Sequence, residues 1–217
     1  MLSCGFSSHI SLSVLQLHNQ TPFTASLTLF PDERGVDTLY LVVCATFIVE
    51  AGRPVRLAEF QRPIRERDEF FGAPGQSSLR YPSEFHLRKP ATDVLLLGDA
   101  FAGGRPVETL DVSLRVGPLQ KTIRVFGDRT FRADGTLSPA RPFTRLPLRY
   151  EHARGGPDET ANPVGIHPRD RLPHLEDPAN PLLHPNDRPP PIGFGPLAPT
   201  WMPRRQHVGT YDLAWQT

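Results

Sequence analysis

The most regular stretch of the chain is ETLDVSLRVG followed by LQKTIRVFG. Leu110, Val112, Leu114 and Val116 alternate with Asp111, Ser113 and Arg115. After Gly117-Pro118 the alternation resumes through Leu119, Lys121, Ile123 and Val125. A period of two means that one face of a strand meets a core and the other meets water. Two such strands around a Gly-Pro turn predict a β-hairpin. SLSVLQLH and FTASLTLF are further short strand candidates, separated by the turn signal NQTP. DTLYLVVCATFIV and TDVLLLGDAFA are longer apolar runs without alternation, which predicts central strands buried on both faces. Amphipathic helices are scarce. The best candidate, LAEFQRPIRERDEF (57–70), is interrupted by Pro63.

From about residue 139 the periodicity disappears. Sixteen of the 25 prolines lie between 139 and 217, with repeated Asn-Pro, Asp-Pro and Pro-Pro turn signals. Composition of this kind suggests a linker, yet Phe143, Leu146, Tyr150, Leu172, Phe194, Trp201, Tyr211 and Trp215 are spaced through it. Disordered segments are poor in such groups. The prediction is therefore an ordered coil, stiffened by proline and anchored at intervals by aromatic side chains. The expected fold is mainly β: an antiparallel sandwich or barrel-like domain over 1–138, with the Pro/Gly-rich coil 139–217 wrapped on the same core and few short helices.

A net charge of +1 gives no global field that would steer the chain to nucleic acid or an anionic membrane. Of 24 basic residues only Lys89 and Lys121 are lysine, a bias that matches either genome composition or arginine-mediated recognition. Cys4 and Cys44 fit no metal or redox spacing, and Cys44 lies in an apolar run as a buried thiol would. The start has neither a basic nor an apolar targeting region, and LYLVVCATFIV (39–49) is about half the length of a membrane span. A cytoplasmic location without membrane insertion is expected.

Candidate chemistry is sparse. No nucleophile elbow, zinc-protease helix or phosphate loop is present, and GFG (193–195) follows prolines rather than a strand. Five of the eight histidines (His152, His167, His174, His184 and His207) sit in the second half, without a compact metal-ligand spacing. No catalytic residue, metal or cofactor is expected. The alternative is an enzyme or carbohydrate-binding module, with a site around Glu151, Arg154, Asp158, Trp201 and Asp212.

Read in order, the chain carries NQTPF, VVCATF, SSLRYPSEF, KPATDVLLLGDA, PFTRLPLRYEHARGG, NPVG, LPHLEDP, PPPIGFGPLAPTWMPR and GTYDLAW. This series resembles the bacterial family known as domain of unknown function 2169, over nearly the whole length. The resemblance implies a non-enzymatic adaptor or chaperone that binds an effector toxin of type VI secretion and helps load it onto the secretion spike. Its partners would be that effector and spike proteins, with no nucleic acid. The motif residues it singles out are Asn19, Pro22, Phe23, Lys89, Asp93, Tyr150, Glu151, Gly155, Gly156, Asn162, Gly165, Phe194, Trp201, Arg204, Tyr211, Asp212 and Trp215. The chain departs from the family pattern at Cys44, where lysine is favoured, at Arg154, where an aromatic is favoured, and at Ile166-His167-Pro168, where a glycine turn is usual. Members usually continue past GTYD…W, so the resemblance also implies that this chain is shortened at its C-terminus.

Overall fold

The computed structural model describes residues 16–32, 34–85, 92–168 and 171–205. It is mainly β, built from small antiparallel sheets, with no closed barrel among the described residues. The chain divides into two compact units: Met1–Asp32 with Val36–Ile64, and Arg65–Thr217 with Glu33–Gly35.

In the first unit β1 (Thr24–Pro31) and β2 (Asp37–Cys44) form a two-stranded ribbon, paired without interruption from Thr24↔Cys44 to Pro31↔Asp37. Two short strands follow, β3 (Phe47–Ile48) and β4 (Arg56–Leu57). The Gln61 side-chain amide does the work of a missing strand. Its Oε1 accepts from Thr46 N (2.8 Å) and its Nε2 donates to Thr46 O (3.1 Å) and Ala58 O (2.7 Å). The expected helix over 57–70 is absent. Pro63 and the Gln61 bonds hold that stretch extended, and it ends as coil before β5.

The reading of DTLYLVVCATFIV as a central strand buried on both faces is corrected. Among the described residues β2 pairs only with β1, and Leu39, Leu41 and Val43 are 47, 57 and 53% exposed. Cys44, read as a buried thiol, is half-buried. The SLSVLQLH strand falls largely outside the described residues, and its last three residues are not in a strand.

In the second unit β5 (Glu69–Phe70) pairs with β6 (Leu79–Tyr81), and β7 (Asp99–Phe101) pairs with β10 (Arg145–Pro147). TDVLLLGDAFA is thus a coil that becomes a strand only at its end. β8 (Thr109–Val116) and β9 (Leu119–Phe126) form the expected hairpin, with Gly117 at φ 57° in its turn. One face carries Leu110, Val112, Ile123 and Val125 into the core. The other face carries a bidentate Arg124–Asp111 pair (2.8 Å for both bonds) and a Ser113–Thr122 hydroxyl bond of 2.7 Å. β11 (Leu175–Glu176) adds to the free edge of β9, placing Leu175 opposite Val125. The only α-helix among the described residues is one turn, α1 (Met202–Arg205).

The coil from residue 139 belongs to the core of this unit. Leu148, Tyr150, Ala153, Ile192, Phe194, Ala198 and Trp201 pack in one cluster with Leu79, Ala100, Ile123 and Val125. Trp201 is 3% exposed and meets the Tyr150 ring edge-on, at 5.4 Å between centroids and 88° between planes. Gly193 lies flat against that same Tyr150 ring, where an added Cβ would stand 2.6 Å from its Cζ. This explains the glycine that a phosphate loop does not. Trp201→Ala is expected to destabilise the protein by about 3–5 kcal/mol in chemical denaturation. A change below about 1 kcal/mol would mean that the coil is not part of the core.

Candidate functional site

Six of the motif residues, Tyr150, Glu151, Gly155, Gly156, Asn162 and Gly165, meet in a buried knot in the second unit. Tyr150 opens a single 3-10 turn (Tyr150–His152), after which the chain runs extended through Ala153 and Arg154. Two parallel bridges tie this stretch to its neighbours, Ala153↔Leu175 and Arg154↔Ile166. Ile166 N donates to Ala153 O and Gly155 N donates to Ile166 O, both at 2.8 Å. Asn162, fully buried, closes the loop between them. Its Nδ2 donates to Tyr150 O and to Arg154 O, each at 2.9 Å. Gly155 and Gly165 let the segments come this close. A Cβ on Gly155 would lie 2.1 Å from Asn162 O, and one on Gly165 would lie 2.3 Å from Asn162 Nδ2. Gly156, at φ 134°, donates its N–H to Asn162 O at 3.0 Å. The motifs HARGG and NPVG are therefore two halves of one structural element.

Glu151, Arg154, Arg129 and Glu176 around the knot are committed to structural contacts. Glu151 accepts from Ser78 N (2.8 Å) and Ser78 Oγ (2.6 Å). Arg154 pairs with Glu159 and donates to Pro189 O at 3.1 Å. Arg129 pairs with Glu176 with both side chains about 5% exposed or less, its guanidinium stacked on Phe126 at 3.5 Å. The second Glu176 oxygen accepts from Leu182 N at 3.2 Å. Each pair holds backbone that has no ladder partner.

His152 and His174 meet edge to face at 5.4 Å. His174 Nδ1 bonds Phe126 O at 3.0 Å, and its Nε2 lies 3.6 Å from Asp128. Burial, reinforced by His174, Arg171 and Arg149 and opposed by Glu151, holds His152 below the ordinary imidazole value. Among the described residues no three His, Cys, Asp or Glu side chains gather as a metal set.

The remaining motif residues lie apart from the knot. In the first unit Asn19 closes a turn, donating to Phe23 O (2.6 Å) and accepting from Thr21 N (3.0 Å), with Pro22 exposed between them. Asp93 receives Arg204 Nη1 at 3.4 Å. Lys89, Tyr211, Asp212 and Trp215 lie outside the described residues, as does His207. Of the alternative enzymatic group, Glu151 and Arg154 are engaged as above, Trp201 is core, Asp158 is exposed, and Asp212 is outside the described residues.

A second feature was not legible in the sequence. The strand register puts the pairs Ala25–Val43, Leu27–Leu41 and Leu29–Leu39 on one face of the first unit's ribbon. Apart from the terminal pair Pro31–Asp37 that face is apolar, yet four of these six side chains are exposed, and no described residue from 16 to 64 is buried. The opposite face, with Thr38, Tyr40, Val42 and Cys44, is the half-buried one. Alternation was hidden because both faces of β2 carry apolar residues.

The profile of a family described as "Uncharacterized protein conserved in bacteria (DUF2169)" matches residues 34–217. No curated protein and no solved structure matches the chain.

Two consequences follow from the knot. Asn162→Ala leaves the buried Arg154 carbonyl without its donor and Tyr150 O with Ala153 N alone, and should lower stability by about 2 kcal/mol, measured by urea unfolding. An unchanged midpoint would show that the knot does not constrain the coil. His152, held below the ordinary 6.5, stays neutral in the folded state while the unfolded chain takes up its proton first. Its stabilising effect is therefore complete above about 6.5 and is lost as pH falls below that value. His152→Gln should flatten the stability-against-pH curve between about pH 7 and 5, and a curve as steep as wild type would rule this out.

Proposed function

The chain belongs to the DUF2169 family of bacterial proteins, and from the exposed apolar ribbon we propose that it is a non-enzymatic adaptor that binds another protein. In the specific form of this reading, the partner is an effector toxin of type VI secretion, held in the cytoplasm and delivered to the secretion spike. The ribbon is the observation that carries it. A two-stranded sheet with one mostly apolar, largely exposed face lacks the burial that keeps such a unit folded alone. Each of its strands is paired on one side only among the described residues, so each offers a row of backbone donors and acceptors. A client strand added along β2, with its side chains on the face of Leu39, Leu41 and Val43, would satisfy both needs together. The second unit, whose Glu151, Arg154 and Arg129 are engaged with its own coil, then serves as the scaffold. Among the described residues no helix is long and apolar enough to cross a membrane.

Co-expression with effectors encoded beside this gene should yield a complex that co-purifies and should raise effector solubility. Leu39→Glu with Leu41→Glu should reduce recovery at least tenfold while leaving the unfolding of the second unit unchanged. Recovery of no effector, with effector solubility unaltered, would sink the adaptor reading.

A further inference from the structure

Resting on that adaptor reading, we propose that Arg80 and Arg149, held against Phe71, form a separate docking point for an extended acidic segment of the protein partner. The two arginines reach one ring from different parts of the second unit. Arg80 sits in β6 between Leu79 and Tyr81, and alternation turns it outward while Leu79 enters the core. Arg149 lies between buried Leu148 and buried Tyr150, in extended backbone that turns it outward in the same way. The Arg149 Cζ is 3.8 Å from the Phe71 centroid and that of Arg80 is 5.7 Å from it, with Arg80 also 5.0 Å from the Tyr81 ring. Arg65 continues the series at 4.0 Å over Tyr81.

The difference lies in the pairing. Arg65 is neutralised by Glu84 (3.2 Å) and Glu69 (3.4 Å). Arg80 and Arg149 are exposed, and neither guanidinium forms an ion pair or hydrogen bond with a described residue. The nearby Glu151 carboxylate is filled by Ser78 N–H and O–H. Stacking on an aromatic ring fixes the plane of a guanidinium and leaves its N–H edge free for a carboxylate. Two such groups on one ring are therefore preorganised cations, and ordering them on binding costs less entropy than ordering free side chains. With Cζ atoms 3.8 and 5.7 Å from one centroid, the two groups lie no more than about 9.5 Å apart, within reach of an extended segment whose carboxylates two residues apart stand roughly 7 Å apart on the same side. Nucleic acid fits less well. The chain has a net charge of only +1, and phosphate-backbone binding draws on a broad basic surface rather than two cations.

The test uses the full chain and three fluorescent probes: the peptide (Glu-Thr)5, the peptide (Lys-Thr)5 and a ten-nucleotide single-stranded DNA. (Glu-Thr)5 should bind in a salt-sensitive manner and (Lys-Thr)5 should not. Arg80→Gln with Arg149→Gln should weaken (Glu-Thr)5 binding about tenfold. The same charge change at exposed positions outside the stack, Arg105→Gln with Arg115→Gln, should alter it less than twofold. Phe71→Leu, which keeps both charges and releases their planes, should weaken it about threefold. Equal loss in the two arginine double variants would overturn the proposal, as would DNA binding tighter than the peptide through Arg80 and Arg149. Thermal unfolding of each variant separates a lost site from a lost fold. If wild type and the Arg80/Arg149 variant recover an effector equally, the docking point is wrong and the adaptor stands. If neither recovers one while (Glu-Thr)5 binding keeps its arginine dependence, the acidic-segment site stands and the adaptor reading falls.

Discussion

A proline-rich coil forms only short ladders, yet much of it is buried here, and the Asn162 side chain resolves that conflict at its start. Its two N–H groups bind the carbonyls of Tyr150 and Arg154 in full burial. This ties the start of the coil to the NPVG turn and fixes the Tyr150 ring against which Gly193 and Trp201 pack. The same physics recurs wherever backbone is buried without a partner strand. Glu176 serves Leu182 N, Arg129 serves Pro173 O, Arg154 serves Pro189 O and Glu151 serves Ser78 N. Charged side chains that look like an active site in sequence are here donors and acceptors for an irregular main chain.

The two units meet the problem of burial in opposite ways. The second encloses twelve buried apolar residues in one cluster, drawn about equally from short strands and coil. The first has a regular ribbon and no buried residue among those described. Its regular hydrogen bonding and its exposed leucines are parts of one arrangement, a sheet built to a register but left largely exposed on one side. That asymmetry underlies the adaptor proposal, since exposed apolar faces of this kind are where partner chains dock.

Legibility followed from how local each signal was. The β8–β9 hairpin could be read from residues 109 to 126 because alternation and a Gly-Pro turn specify it without reference to the rest of the chain. The run 37–49 was misread because a strand with apolar residues on both faces gives the same pattern whether it lies inside a sheet or at its edge. In 92–102 the apolar residues promised a strand, but Val94 and Leu95 are exposed and Leu96 meets the coil instead, its N–H donating to Phe194 O at 3.0 Å. The stacked pair Arg80–Arg149 was invisible, since the two residues are 69 positions apart in the sequence and meet only through Phe71.

By itself, then, the sequence determined the β class, the central hairpin and the order of motifs that marks the family, all of which are written in neighbouring residues. Only the tertiary structure decided that HARGG and NPVG are one knot, that the Glu151 and Arg154 charges are internal fasteners, and that the ribbon turns its leucines outward. These depend on which distant segments meet, and burial and register, unlike period, are properties of a pair of segments rather than of either one.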